Sequence, residues 1–341
     1  MRGLSVLFVI MSHGVIWPRI GIHSPGILAV FSAHVGVNVF FALSGFLITM
    51  LLIKERSVTG TISLRGFFMR RALRIFPLYL LAITLLLVMD VIGAANIESC
   101  AFAFAYSYTL NFAPISCSFS SMSHFWSLAV EEHFYLLWPL IFLLGRRFAC
   151  VFAVFFAAAC VYFAPALQSY FPDHQVWRWT FPAAAPIAFG CLSAFICNSK
   201  KIADLFGSKK SSSILLVAII SGLASPAFYN GELVWLLSLS CLILYIFHNQ
   251  CSLIVRVLEF RPLALLGVIS YGLYVWQGFF TGNGPYRMAE QFPPVLDTGL
   301  LLTFFAAPLS FLFFEEPILK LKKRYNWDRA EAKAELIAVR Y

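Results

Sequence analysis

Charge is what this sequence has least of. Asp, Glu, Lys and Arg make up 12% of its 341 residues, about half the share usual in soluble domains. A globule with so thin a polar coat would not stay dispersed in water, so a soluble enzyme or binding module is excluded. Metal-ligand patterns are missing too: the eight cysteines form no CxxC pair and no zinc-like spacing, so no metal site is expected. No basic domain stands apart from the apolar runs, which excludes nucleic acid as a partner despite the net charge of +9.

What fills the space is apolar. Hydrophobic residues reach 60%, with 36 phenylalanines and 8 tryptophans. Aromatics at that density suit helix packing and membrane interfaces. A span needs about 20 apolar residues, and ten candidate runs lie near 3–20, 35–53, 76–93, 125–144, 148–167, 180–197, 213–229, 233–248, 263–280 and 298–314. Several end at Pro77, Pro165, Pro182, Pro262 or Pro317, where a helix loses an amide donor at little cost. The expected fold is an all-α, polytopic membrane bundle of about ten transmembrane helices. A membrane domain over 1–320 is followed by a short basic tail over 321–341.

Basic residues orient the bundle. Arg2 and the clusters at 54–74, 146–147, 200–210, 256–261 and 320–340 all fall on one side, leaving only Arg19, Arg178 and Arg287 on the other. The positive-inside rule then places both termini in the cytoplasm. The apolar stretch 101–113 is too short to cross and reads as re-entrant or interfacial. It stays on the outer side, where Cys100 and Cys117 meet an oxidising space that permits a disulfide. The first apolar run carries His13 and no small-residue cleavage site, so it does not read as a signal peptide.

Ionisable groups inside such runs cost several kcal/mol unless paired, and they ask for a reason. Arg2 and His13 are eleven residues apart, about 1100° of helical rotation, so they share one face with His13 about 16 Å deeper. Glu131, Glu132 and His133 interrupt the fourth run; a purely structural role for the acids stays open. Arg71 and Arg74 stand one turn apart, and their guanidinium forks suit phosphate oxygens. Topogenic charge is the alternative for that pair.

Six motifs appear together in one order. They are Arg2-x10-His13, the run Gly36 to Leu47 (GVNVFFALSGFL), Arg71-x-x-Arg74 within Phe67–Tyr79, Trp126-Ser-Leu-x-x-Glu131 running to Pro139, Ile269 to Trp276 (ISYGLYVW), and Phe314-Glu-Glu-Pro317. In this combination the chain resembles the acyltransferase 3 family of membrane-bound O-acyltransferases, which includes O-antigen acetylases. The resemblance implies an O-acetyltransferase of the bacterial inner membrane. Its donor would be cytoplasmic acyl-CoA, commonly acetyl-CoA, used as a co-substrate with no cofactor bound permanently. Its acceptor would be a lipid-linked or surface saccharide.

Carried onto this chain, the resemblance ties His13 and Arg2 to catalysis and Arg71 and Arg74 to the acyl-CoA side; Glu131 and Glu315 match recurring acids. Asn38, Trp126, Ser127 and Tyr271 are candidate oxyanion or substrate contacts. The chain departs from the family at two positions. Asn38 stands where an acid is common, and Gln277 stands where histidine often follows the Tyr-x-x-Tyr motif, so neither carries a proton here. Residues that usually precede the first motif do not precede Arg2, which reads as a truncated or late start. No soluble esterase-like domain follows the last run, so the reaction is expected to proceed in the membrane domain or with a partner. A transporter that moves a lipid-linked glycan or anion without acyl chemistry remains the rival reading, since helix-borne polar groups serve that too. A subunit with a structural or assembly role is a third.

Overall fold

The structure, a computed structural model, describes residues 1–14, 16, 21, 31–117, 121–208, 211–224, 231–282 and 295–321. The basic tail from 322 onward, Arg19 and Arg287 lie outside the described residues. Those described form helices, with one isolated backbone bridge between Pro114 and His174 and no strand.

In chain order the helices are α1 (Arg2–His13), α2 (Ala33–Thr59), α3 (Leu64–Val91), α4 (Ser99–Tyr106), α5 (Trp126–Leu143), α6 (Arg146–Tyr170), α7 (Thr180–Ala183), α8 (Ala185–Ile196), α9 (Lys200–Gly207), α10 (Ser211–Ala224), α11 (Gly231–His248), α12 (Leu253–Leu258), α13 (Arg261–Val268), α14 (Ser270–Thr281), α15 (Leu296–Ser310) and α16 (Glu316–Leu321). A π-helical turn, Phe311–Glu315, joins the last two.

The described part of every run expected to span falls on a helix or a bent pair of helices, while residues 15, 17–20 and 225–229 of two runs lie outside the described residues. Five described helices are long and apolar enough to cross a membrane, namely α2, α3, α6, α11 and the continuous α15–α16 rod. Two bent pairs raise this to seven: Thr180–Ile196 with α9, turned by 98°, and α13 with α14, turned by 71°. Two of the other three runs continue past the described residues, which give α1 12 residues and α10 14. α5 is diluted by Glu131, Glu132 and His133. The stretch 101–113 holds only the eight-residue α4 and a 3-10 turn, too short to cross, as expected.

Local chemistry explains how the functional helices are set. Ser32 caps α2 through the Val35 amide at 3.3 Å, and Gly60, at φ 77°, ends it in the left-handed region that glycine adopts freely. Ser63 then caps α3, and Glu55 accepts from the Ser63 amide at 2.7 Å while facing Arg70 at 3.7 Å. This tight turn places Arg71 and Arg74 two turns inside α3 rather than in a loop. We call this the turn end of the bundle.

α2 and α5 are joined by a polar seam. Ser44 donates to Glu131, Tyr135 donates to Ser44, Trp138 donates to Thr49, and Arg56 donates to the Phe142 carbonyl at the end of α5. On its other side α2 meets α8 backbone to backbone. A Cβ at Gly45 would strike the Ile187 carbonyl, and one at Gly190 the Ala42 carbonyl. Small residues let membrane helices approach this closely. Gly190→Val is therefore expected to lower the melting temperature in detergent by more than about 5 °C through overpacking. Gly207→Val, with nothing near its Cβ, is expected to leave it unchanged.

At the opposite end, which we call the cap end, two connections are stapled together. Cys100 and Cys117 form a disulfide with their Cα atoms 5.7 Å apart, an ordinary separation. The Ile115 amide donates to the Asp173 carbonyl, and Gln168 holds the second connection from below through Phe171, His174 and Val176.

Candidate active site

Five helices line a cavity of about 70 Å³ toward the turn end. α1 contributes Arg2, α3 Arg71 and Arg74, α2 Ser44, α5 Glu131 and Tyr135, and α14 Tyr271 and Tyr274. The Arg71 guanidinium lies over the Tyr135 ring at 5.2 Å and the Phe67 ring at 5.8 Å. The Glu131 carboxylate already accepts from Ser44 at 2.7 Å. Among the described residues, Arg2, Arg71 and Arg74 make no hydrogen bond or ion pair. Three guanidinium groups against one carboxylate leave the cavity positive, and such charge is expensive to hold in a bundle interior without a counter-charge.

A second cavity, of about 540 Å³, adjoins the first. Arg2, Arg74 and Tyr271 line both, so these side chains form the wall that the two share. Glu315 lines the second; its carboxylate accepts from Ser310 at 3.2 Å. It ends the π-helical turn, and such turns are frequent at functional sites because they re-aim one side chain. Tyr271 is fixed by donating to the Ile75 carbonyl at 2.6 Å.

Toward the cap end the first cavity closes on a wall of hydrogen bonds. Tyr274 donates to the His124 carbonyl at 2.8 Å and lies 2.6 Å from the Ser127 hydroxyl. His124 fills the space that a Cβ at Gly278 would need, and both its ring nitrogens are buried without a hydrogen-bond partner. Beyond this wall lies His13, at the far end of α1, beside the Gln277 side chain and within the field of Arg178. His13 Nδ1, Gln277 Oε1 and Arg178 Nε are likewise buried and unpartnered. A cluster of orphaned polar atoms marks a place built for something other than packing.

The motif residues thus fall into two groups. Arg2, Arg71, Arg74, Glu131, Ser127 and Tyr271 meet at the first cavity and Glu315 at the second. His13 lines neither. Asn38 also stands apart, its amide 3.0 Å from His34 one turn away, and Trp126 packs between Phe41 and Trp177. Sequence reasoning assigned no role to His124, Tyr274 or Arg178. The first two carried a usable signal: His124 is three residues from Ser127, and Tyr274 three from Tyr271, which puts each on the same helical face as a motif residue. No group of His, Cys, Asp and Glu among the described residues is placed to hold a metal.

A family model described as an acyltransferase domain matches residues 1–315. The O-acetyltransferase OatA of Staphylococcus aureus is 30% identical over 316 residues, covering 84% of this chain and 52% of that protein. The peptidoglycan O-acetyltransferase OatA of Listeria monocytogenes is 25% identical over 361 residues, covering 94% and 55%. The chain spans about half the length of these curated relatives. No solved structure matches it.

Proposed function

The chain belongs to the acyltransferase-domain family, and from that premise we propose that it moves an acetyl group from cytoplasmic acetyl-CoA to a saccharide hydroxyl across the bacterial inner membrane. The observation that carries this reading is the convergence of Arg2, Arg71 and Arg74 on one cavity, with Arg2 at the end of α1 opposite His13. A coenzyme A thioester is a polyanion with a long neutral arm. Its phosphates suit unpaired guanidinium forks, and its arm is left to run toward Tyr274, which lines the same cavity. The acceptor class follows the relatives, which are named as O-acetyltransferases, one of them of peptidoglycan.

In the chemical step the acceptor oxygen attacks the thioester carbonyl while His13 accepts the hydroxyl proton. The C–S bond then breaks, an ester C–O bond replaces it, and the proton passes to the departing thiolate. Histidine suits this task because its ordinary pKa lies near operating pH. Negative charge developing on the carbonyl oxygen needs a donor, a role the Gln277 amide, beside the imidazole, can fill with the second hydrogen on its Nε2, the first going to Thr281. The thioester reaches His13 by displacing the Tyr274–Ser127 pair that closes the cavity.

The reading assigns ten spans, both termini in the cytoplasm, the turn end inward and the cap end outward. The Cys100–Cys117 disulfide supports the last point, since such bonds persist on oxidising faces. The test uses purified protein in vesicles, with labelled acetyl-CoA outside and an oligosaccharide trapped inside. Label is expected on the saccharide as a base-labile ester. Folded protein that transfers no label overturns the reading, as does glycan movement that needs no acetyl-CoA.

A further inference from the structure

The cap end carries features that the acyl-transfer chemistry leaves unused. Trp177, on the short 3-10 turn Val176–Arg178, is 49% exposed. Its ring meets Trp126 edge-on at 5.3 Å, and the Arg178 guanidinium lies over it at 4.8 Å. Trp126 in turn packs on Phe41 and precedes Ser127, whose side chain borders the first cavity. Arg178 acts on the charge of His13, and no carboxylate pairs with it among the described residues. The platform is rigid: Gln168 ties down both sides of the turn, and the disulfide-bonded connection braces it through Pro114 and His174.

An interfacial tryptophan that merely anchors a helix accounts for the exposure of Trp177. It does not account for a half-buried guanidinium laid on the ring, with its Nε orphaned and within electrostatic reach of the His13 imidazole. An aromatic face beside an unpaired arginine matches one ligand chemistry well. The C–H face of a sugar ring packs on an aromatic ring, and a carboxylate or phosphate on the same saccharide takes the guanidinium fork.

We infer that Trp177, backed by Trp126, and Arg178 form the acceptor subsite, which takes a saccharide bearing a negative group and presents one of its hydroxyls to His13. This rests on the reading that a saccharide is acetylated from the cap end. The inference adds the residues that hold the acceptor and the charge the acceptor carries.

The experiment measures binding and turnover separately. The purified full chain in detergent, without acetyl-CoA, is titrated with an acidic oligosaccharide, tetragalacturonate, and a neutral one, tetragalactose, and followed by ligand NMR. The acidic probe is expected to bind more tightly. Trp177→Ala should weaken both by about 10-fold or more, while Trp177→Phe should retain most of the binding. Arg178→Gln should weaken the acidic probe alone by about 10- to 100-fold, the range of a charge-assisted hydrogen bond, and Arg178→Lys should restore part of it. Melting temperatures identify variants that fail to fold, and Trp177→Phe keeps the test decisive if the alanine variant does. Wild-type protein that binds neither probe, or Trp177 and Arg178 variants that bind like wild type, overturns the subsite. In the vesicle assay Trp177→Ala should raise the acceptor KM and leave the acetyl-CoA KM unchanged; an unchanged acceptor KM in an active enzyme overturns the subsite alone. Saccharide binding at Trp177 without any acetyl transfer overturns the function proposed above and leaves the subsite standing.

Discussion

Alanine at position 13 is expected to lower acetyl transfer by about 10²- to 10⁴-fold, the range that general-base catalysis contributes. The membrane content of the protein and its KM for acetyl-CoA should stay near wild type. The separation follows from the helix that carries both ends of the site. Arg2 opens α1 and His13 closes it, about 16 Å apart along the axis, so a change at one end leaves the thioester grip at the other untouched. His13 is partly exposed as a residue, while its Nδ1 is buried in a polar cluster, so truncation removes a ring lined in part by polar atoms. His13→Gln, which fills the space without supplying a base, should be as inactive as His13→Ala. Full activity in either variant removes the imidazole from the mechanism. Loss of protein from the membrane in both would instead assign it to structure.

Much of this arrangement was legible before any coordinates. The eleven-residue interval between Arg2 and His13 needs only helical geometry, and α1 has those two residues as its ends. The Arg71–Arg74 spacing needs one turn of α3 and nothing else. What periodicity does not carry is convergence. Glu131 reaches the cavity because Ser44 and Tyr135 hold it against α2, a contact between residues 87 positions apart. Glu315 reaches the second cavity because Pro308 and the π-helical turn rotate the chain.

Arg178 counted in the sequence as an exception to the charge rule, and its meaning emerges only when a separate connection lays it over Trp177 and within electrostatic reach of His13. His124 is similar: its ring sits where Gly278 lacks a side chain, and glycine in a helix announces no partner. Tertiary contacts hold α1 in place: it packs against α2, α13 and α14, with Gly3 against the Leu263 backbone and Gly36 against that of Ser5.

Replacing Arg71 and Arg74 together by alanine is expected to weaken acetyl-CoA binding by on the order of 10²-fold or more, since each charge-assisted bond contributes about 1.5–3 kcal/mol. Both guanidinium groups face the cavity with no ion pair among the described residues, so their removal leaves no orphaned carboxylate behind. Glu131 keeps its bond from Ser44, and the α2–α3 turn keeps Glu55 with Arg70. Stability should therefore hold or rise, because like charges no longer crowd one space. The measurement is equilibrium binding of acetyl-CoA to purified wild type and variant, repeated with dephosphorylated pantetheine acetyl thioester. The phosphate-free thioester should bind both proteins alike, because only the phosphates meet the arginines. Restoring lysines should recover part of the affinity but less than the arginines give, since an ammonium lacks the two-pronged geometry. An unchanged acetyl-CoA affinity in the double variant would reassign both residues to topology and move the donor site elsewhere in the bundle.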